Sequence, residues 1–332
     1  FYHLGEEKFV GRALSGRLIT DIARDQNGRV LVATDGDGLY TLTSDGADLQ
    51  HYTYSGNLRN SLNTNALYQI CIDRHHNIWI GTFNGGINVH KPRKVEFLTF
   101  LQSENRADAP GFQSVLSLYE DENNDVWIGT DGGGLLRFDR NRQDYATYQA
   151  QRGKLPSDVF TAIFQDSSGM LWLGTYAHGL IRFDPQTRRF RQYLHFPEYP
   201  DSLANNNVWA ITEAEQGKLW IGTLGGGLDL FDPKARTFTH HVPDPSRAGA
   251  ISDLNIRSLL KDEAGNLWIG TEYGGLNKLE AGSSSFEVWK KIPGDDSSLR
   301  ANTVLCLFVD SKDYLWVGTE GGGLHRMKRD ES

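Results

Sequence analysis

Lys218-Leu-Trp-Ile-Gly-Thr-Leu-Gly-Gly-Gly-Leu-Asp-Leu-Phe-Asp232 consists of two short apolar runs joined by three glycines. Glycine takes the positive φ of a tight turn at no steric cost, so this stretch predicts a β-hairpin. The same hairpin recurs at Ile78-Trp-Ile-Gly-Thr82, Val126-Trp-Ile-Gly-Thr130, Leu171-Trp-Leu-Gly-Thr175, Leu267-Trp-Ile-Gly-Thr271 and Leu315-Trp-Val-Gly-Thr319. A divergent copy, Val30-Leu-Val-Ala-Thr34, precedes them. The closing threonines sit at 34, 82, 130, 175, 223, 271 and 319, in steps of 48, 48, 45, 48, 48 and 48 residues. Self-similarity at a fixed period of this size marks a repeat array.

Each repeat adds one strand before the hairpin and one after it. In the fifth, Val208-Trp-Ala-Ile-Thr212 leads in, Gln216-Gly217 turns the chain, and residues 238–242 follow the Asp232-Pro turn. Short strands, frequent turn signals and no helical periodicity predict an all-β fold. Runs such as Val304-Leu-Cys-Leu-Phe-Val309 are apolar on both faces, so each sheet is covered on both sides. Seven four-stranded antiparallel sheets packed face to face make a seven-bladed β-propeller. The tryptophans then fill the space between blades, while the Gly-Thr pair that follows permits close approach.

The position fifteen residues after each threonine opens the fourth strand with Leu49, Phe97, Tyr145, Phe190, Phe238 and Phe286. In the seventh repeat this position falls beyond Ser332. Phe1-Tyr-His-Leu4 has the required pattern, so the N-terminal strand, residues 1–4, is expected to complete the last blade and close the ring. Residues 1–332 thus read as a single propeller domain.

A formal net charge of −8, without a basic run or platform, argues against nucleic acid as a partner. No apolar run approaches the length of about 18 residues that a membrane span needs. Cys71 and Cys306 occupy different offsets in repeats two and seven, which predicts core thiols rather than a disulfide. Phosphate-loop, nucleophile-elbow and zinc-protease patterns are not found, so no catalytic residue, metal ligand or cofactor is assigned. Asp166-Ser-Ser-Gly169 reads as a plain hairpin turn. Asp121-Glu-Asn-Asn-Asp125 lacks the central Gly and following Glu of a calcium loop.

The blocks Asn206-x-Val208, Gly217-x-Leu-Trp-Ile-Gly-Thr223 and Gly225-Gly-Gly-Leu228 resemble the two-component regulator propeller repeat. So does Ser298-Leu-x-x-Asn302-x-Val304 with the hairpin ending at Thr319. Repeat one departs, with Leu31 in place of Trp and Ala33 in place of Gly. The resemblance implies a non-enzymatic, periplasmic sensing region of a bacterial membrane receptor that responds to an oligosaccharide. It also implies an adjacent propeller or β-sandwich domain, and a histidine kinase or diguanylate cyclase output. The alternatives are a structural propeller that serves homodimerisation or docking and, less favoured, a propeller lyase.

In a four-strand meander, the Gly-rich turn shares a face with the loop leading into the innermost strand. Ligands of propellers gather at that face and its axial mouth. Repeat three, five and seven carry Gly-Gly-Gly there, whereas repeat four has Tyr176-Ala-His178, repeat two has Phe83-Asn84, and repeat six has Tyr273. Bulky or polar groups where the fold accepts glycine are not needed for folding. The lead-in loops add Asn65, Gln113, Asp158, Asn206 and Asn302. Rings for a sugar's apolar face and amides for its hydroxyls make Tyr176, His178, Phe83, Asn84, Tyr273, Asn65, Asn206 and Asn302 the candidate ligand-binding set. The competing reading gives the asparagines a backbone-bonding role, and the rings a contact with a neighbouring domain.

Overall fold

The computed structural model describes residues 9–43, 48–58, 61–91, 97–100, 114–142, 144–150 and 155–329. Its strands form seven four-stranded antiparallel sheets. The first is Ile19–Arg24, Val30–Thr34, Gly38–Leu42 and Leu49–Tyr52, and the others repeat this meander. The seven innermost strands pack side by side around an axis, with the strand of the first blade meeting that of the seventh to close the ring. The fifth blade runs Val208–Glu213, Leu219–Thr223, Gly227–Asp232 and Thr237–His241, within a residue of the expected strands.

The recurrent hairpin explains this packing. In every blade the threonine hydroxyl donates to the carbonyl of the glycine four residues on, at 2.6 to 3.0 Å, which fixes the turn. The glycine before it faces the next blade. A Cβ at Gly129 would lie 2.6 Å from the Phe160 carbonyl oxygen, and one at Gly174 2.8 Å from that of Val208. Seven apolar clusters result, each shared by two adjacent blades. Trp79, Trp127, Trp172, Trp268 and Trp316 each enter the cluster they share with the following blade, and Leu31 does so in the divergent repeat. Each of these five indoles donates to the aspartate six residues earlier, at 2.6 to 2.9 Å.

The last blade is completed from the N-terminal side, as expected, but by a different segment. Phe9–Ala13 pairs antiparallel with Gly323–Lys328, from Phe9 opposite Met327 to Ala13 opposite Leu324. Phe1–Leu4 lie outside the described residues. Counting from the other repeats misplaces this strand because its connection to Ile19 is short, residues 14–18 rather than a loop such as 53–66 or 194–207. The longer loops bury a leucine beneath the blade junction (Leu62, Leu203 and Leu299, each 1% exposed or less). The short connection instead turns at Leu14 and Gly16, both with positive φ.

Candidate functional site

The lead-in loops are tied to the scaffold by main chain and side chain together. The Asn65 carbonyl accepts from Gly36 and Gly38 of the preceding blade, at 3.0 and 2.9 Å, and the Asp158 carbonyl does the same for Gly132 and Gly134. Asn206 and Asn302 accept from Gly179 and Gly275. Their side-chain oxygens are occupied as well: Asn65 Oδ1 accepts from the Tyr54 amide, Asn206 Oδ1 from His195 and Asn302 Oδ1 from Lys291, at 2.6 to 2.8 Å. These asparagines therefore hold the loops in register and leave only their amide NH2 groups for other partners. Gln113 lies outside the described residues.

The remaining candidates are distributed over three blades rather than brought together. Phe83 and Asn84 stand on the second blade's Gly-turn, Tyr176 and His178 on the fourth, and Tyr273 on the sixth. Phe83, Tyr176 and Tyr273 are 44, 54 and 69% exposed, so none is needed in the core. Phe83 leans on Tyr68 with ring centroids 6.0 Å apart. Asn84 takes a positive φ, and its amide N–H reaches Ser114 Oγ at 3.3 Å. His178 Nδ1 lies 3.1 Å from the Tyr176 carbonyl. None of the eight lines the axial channel.

That channel, about 450 Å³, is built in layers by the innermost strands. Each of these strands carries a β-bulge at its second residue, where the register shifts against the neighbouring strand. A bulge re-aims one side chain out of the regular alternation. Here the bulged residues are Thr20, Tyr68, Leu116, Thr161, Trp209, Arg257 and Leu305, and all seven line the channel. The third residues include Asp21, Gln69 and Ser117, several of which bond the adjacent inner strand. Asp21 Oδ2 accepts from the Ile70 amide at 2.7 Å, and Ser117 Oγ donates to the Phe160 carbonyl at 3.1 Å. Below them Ile163, Ile211, Leu259 and Leu307 form an apolar collar. The result is a polar cup over an aliphatic floor.

Three bulged side chains differ in kind from the others. Arg257 Nε donates to Glu272 Oε2 in an ion pair, and its guanidinium carbon lies 4.9 Å from the centre of the Trp209 ring. The pairing and the stacking fix the guanidinium, while its terminal amino groups keep donors for the cup. The indole N–H of Trp209 is buried without a partner. Burial pushes the Tyr68 phenol up, the Asp35 carboxylate adds to this, Arg257 opposes it, and Asp131 adds again. Asp35 and Glu320 complete the wall. Lower down, burial raises the Asp21 carboxyl to about 7, against the lowering effect of the Ile70 and Ile22 amides.

Tyr68, Trp209 and Arg257 escape a reading that compares only the Gly-turns. Their signal lies one residue into each inner strand. Across the seven repeats that position reads Thr, Tyr, Leu, Thr, Trp, Arg and Leu, beside a first position that is always a large apolar residue.

On the opposite face, Asp73, His75 and Glu120 converge closely enough to hold a metal ion. Arg140 already supplies the positive charge, 2.6 Å from Asp73 Oδ2, 3.3 Å from Glu120 Oε1 and 3.1 Å from His75 Nδ1. Asp73 Oδ2 also accepts from Trp79 and Asn77. The cluster is an ion-pair network that braces the second and third blades. Asp121 and Asp166 are similarly spent on their own turns and on Trp127 and Trp172.

The two component regulator propeller pattern matches six times, over residues 61–84, 111–132, 154–177, 202–225, 250–273 and 298–321. The chain belongs to the two-component regulator propeller family. Its fold is similar to the extracellular domain described as that of a hybrid two component system from B. thetaiotaomicron. That match has a TM-score of 0.83 and 23% identity, and covers 96% of this chain and 42% of that one. A second such extracellular domain from the same organism matches with a TM-score of 0.78 and 21% identity, covering 98% of this chain and 40% of that one. The propeller family chain thus spans about two fifths of these sensor relatives. A catalytically inactive virginiamycin B lyase from Staphylococcus aureus, bound to quinupristin, matches with a TM-score of 0.69 and 14% identity over 98% of this chain and 99% of that one. At these identities the likeness is one of fold alone. A comparison with curated proteins found no match.

Proposed function

We propose that this propeller is the extracytoplasmic ligand-sensing module of a bacterial signalling receptor, and that the axial cup receives an oligosaccharide. The ring of seven bulges carries this reading. One bulged ladder position is repeated seven times, and each time it delivers a side chain into the same cavity rather than into the core. Tyr68 and Trp209 offer ring faces. The Arg257 amino groups donate, and the Asp35 and Glu320 carboxylates accept. A neutral polyol uses both kinds of partner at once, since each hydroxyl donates and accepts. Family membership and the extracellular sensor relatives support a periplasmic location. No helix among the described residues is long and apolar enough to cross a membrane. The kinase or cyclase output, and a neighbouring propeller or β-sandwich to receive the signal, belong to the same proposal.

Isothermal titration of the propeller against a glycan panel tests it. Saturable binding to one glycan class is the expected result, and silence across the panel contradicts direct sensing. One observation favours a second reading, in which this face docks a homodimer mate or an adjacent domain. Tyr176 and Tyr273 are not the only exposed rings at this end of the blades, since the lead-in loop 194–207 adds Phe196 and Tyr199, the latter 66% exposed. In that case Tyr176→Ser with Tyr273→Ser changes the oligomeric state and leaves ligand affinity unchanged.

A further inference from the structure

In five blades the indole of the second strand donates to an aspartate carboxylate at 2.6 to 2.9 Å. The other oxygen of the carboxylate typically accepts two turn amides, as Asp73 does from His75 and Asn77 at 2.9 and 2.8 Å. The fifth blade keeps the tryptophan, Trp220, but has Ala214 where the aspartate stands. The turn closes instead as a short 3-10 segment, Glu215–Gly217, with Gln216 at a φ of 58°. Among the described residues, none takes the place of the missing carboxylate on the Trp220 indole.

The space it leaves is open. A cleft of about 330 Å³ between the fifth and sixth blades is lined by Ala214, Gln216, Lys218, Trp220, His241 and Lys261 among others. It lies on the face opposite the mouth of the axial cup, because its walls are the turns after the first and third strands. Trp220 is only partly buried, unlike Trp127, Trp172 and Trp268, and the His241 ring lies 5.5 Å from it. Two lysines face this volume. Two carboxylates, Glu215 and Glu280, also line it; Glu280 lies 3.7 Å from Lys278, and Lys218 keeps a loose contact of 3.7 Å with Asp232.

We propose that this cleft binds the carboxylate of a uronic acid residue in the place that aspartate fills in the other blades, with the sugar ring against Trp220. The five intact blades supply the template for the anion: an indole N–H and turn amides directed at one carboxylate, of which the fifth blade keeps the Trp220 indole and the Gln216 amide, since the Lys218 amide donates to the Glu215 carbonyl at 3.1 Å. The lysines add charge-assisted donors, and the accessible part of the half-buried indole adds a stacking surface. The proposal does not depend on the axial cup, since the two cavities share no residue.

The test is a titration of the 15N-labelled propeller that follows tryptophan indole resonances, with Trp220→Phe identifying the Trp220 signal. Sodium glucuronate is the probe, and methyl glucoside and sodium acetate are the controls. Glucuronate is expected to move the Trp220 signal downfield and saturably. The neutral glucoside should leave it in place, and acetate, which has no ring, should act about tenfold more weakly. Ala214→Asp is expected to place this signal among those of the five bonded indoles without ligand and to abolish the response. Unchanged signals from the other indoles establish that the variant is folded. An equal response to glucoside or acetate, a response that survives in Ala214→Asp, or no response to glucuronate overturns the proposal.

Discussion

Asp21 shows how one residue of the channel wall carries a cost that the rest of the ring absorbs. Its carboxylate sits between the first and second inner strands and bonds the Ile22 and Ile70 amides. Burial nevertheless raises its pKa from 3.8 to about 7. A raised carboxyl pKa means that the folded state holds the proton more tightly than the unfolded chain does. Its contribution to stability is therefore complete below about pH 4 and is lost as the pH rises through about 7. Over that interval the loss amounts to at most about 4 kcal/mol. Asp21→Asn keeps one acceptor and removes the charge, so it should flatten this part of the profile. Thermal melts at pH 5 and pH 8 check this: the wild type should lose more stability between them than the variant, and equal slopes contradict the assignment.

At the scale of elements, the hairpin was legible and the bulge was not. Trp-Ile-Gly-Thr can be read from sequence because each residue has one packing duty, repeated in every blade. The tryptophan enters the next cluster, the glycine admits the neighbouring backbone, and the threonine ties the turn. Gly129→Ala is expected to destabilise the protein by about 1–3 kcal/mol, because the new Cβ meets both the Ser117 hydroxyl and the backbone oxygen of Phe160, and the backbone cannot yield as a side chain can. Denaturant titration measures this, and a neutral effect would show that the blades can separate freely. The bulge leaves no such mark within a single repeat, and only the variation at the second inner-strand position across repeats hints at it. Leu67-Tyr68-Gln69 alternates like any strand, and only the register shift turns Tyr68 toward the axis. The lead-in asparagines were ambiguous for the opposite reason, since their amides suit a sugar and a backbone equally well. The structure engages the oxygens of Asn65, Asn206 and Asn302 with loop amides. The strand that closes the ring was anticipated in kind but misplaced in position, because the short connection at residues 14–18 breaks the count on which the expectation rested.

At the scale of the whole molecule, closure couples the two ends of the chain. Gly323–Lys328 bonds Tyr314–Thr319 on one side and Phe9–Ala13 on the other. Without the N-terminal strand it becomes an unpaired edge, and edges of this kind recruit other chains. Removal of residues 1–13 should lower the melting temperature and produce concentration-dependent association in sedimentation; a monomer of unchanged stability would contradict the role of closure. The same closed ring holds the cup in shape, since its seven wall positions come from seven separate blades and no local segment can form it alone.

The central claim is that ligand recognition belongs to the bulged positions around the axis rather than to the exposed turns outside them. Its most direct measurement is the affinity, for whichever glycan the panel identifies, of Trp209→Ala compared with Tyr176→Ser at matched melting temperature. Trp209→Ala is expected to weaken binding by about tenfold or more, as follows from loss of a stacking face, while Tyr176→Ser stays near the wild type. Wild-type affinity in Trp209→Ala, with binding lost in Tyr176→Ser, would contradict it.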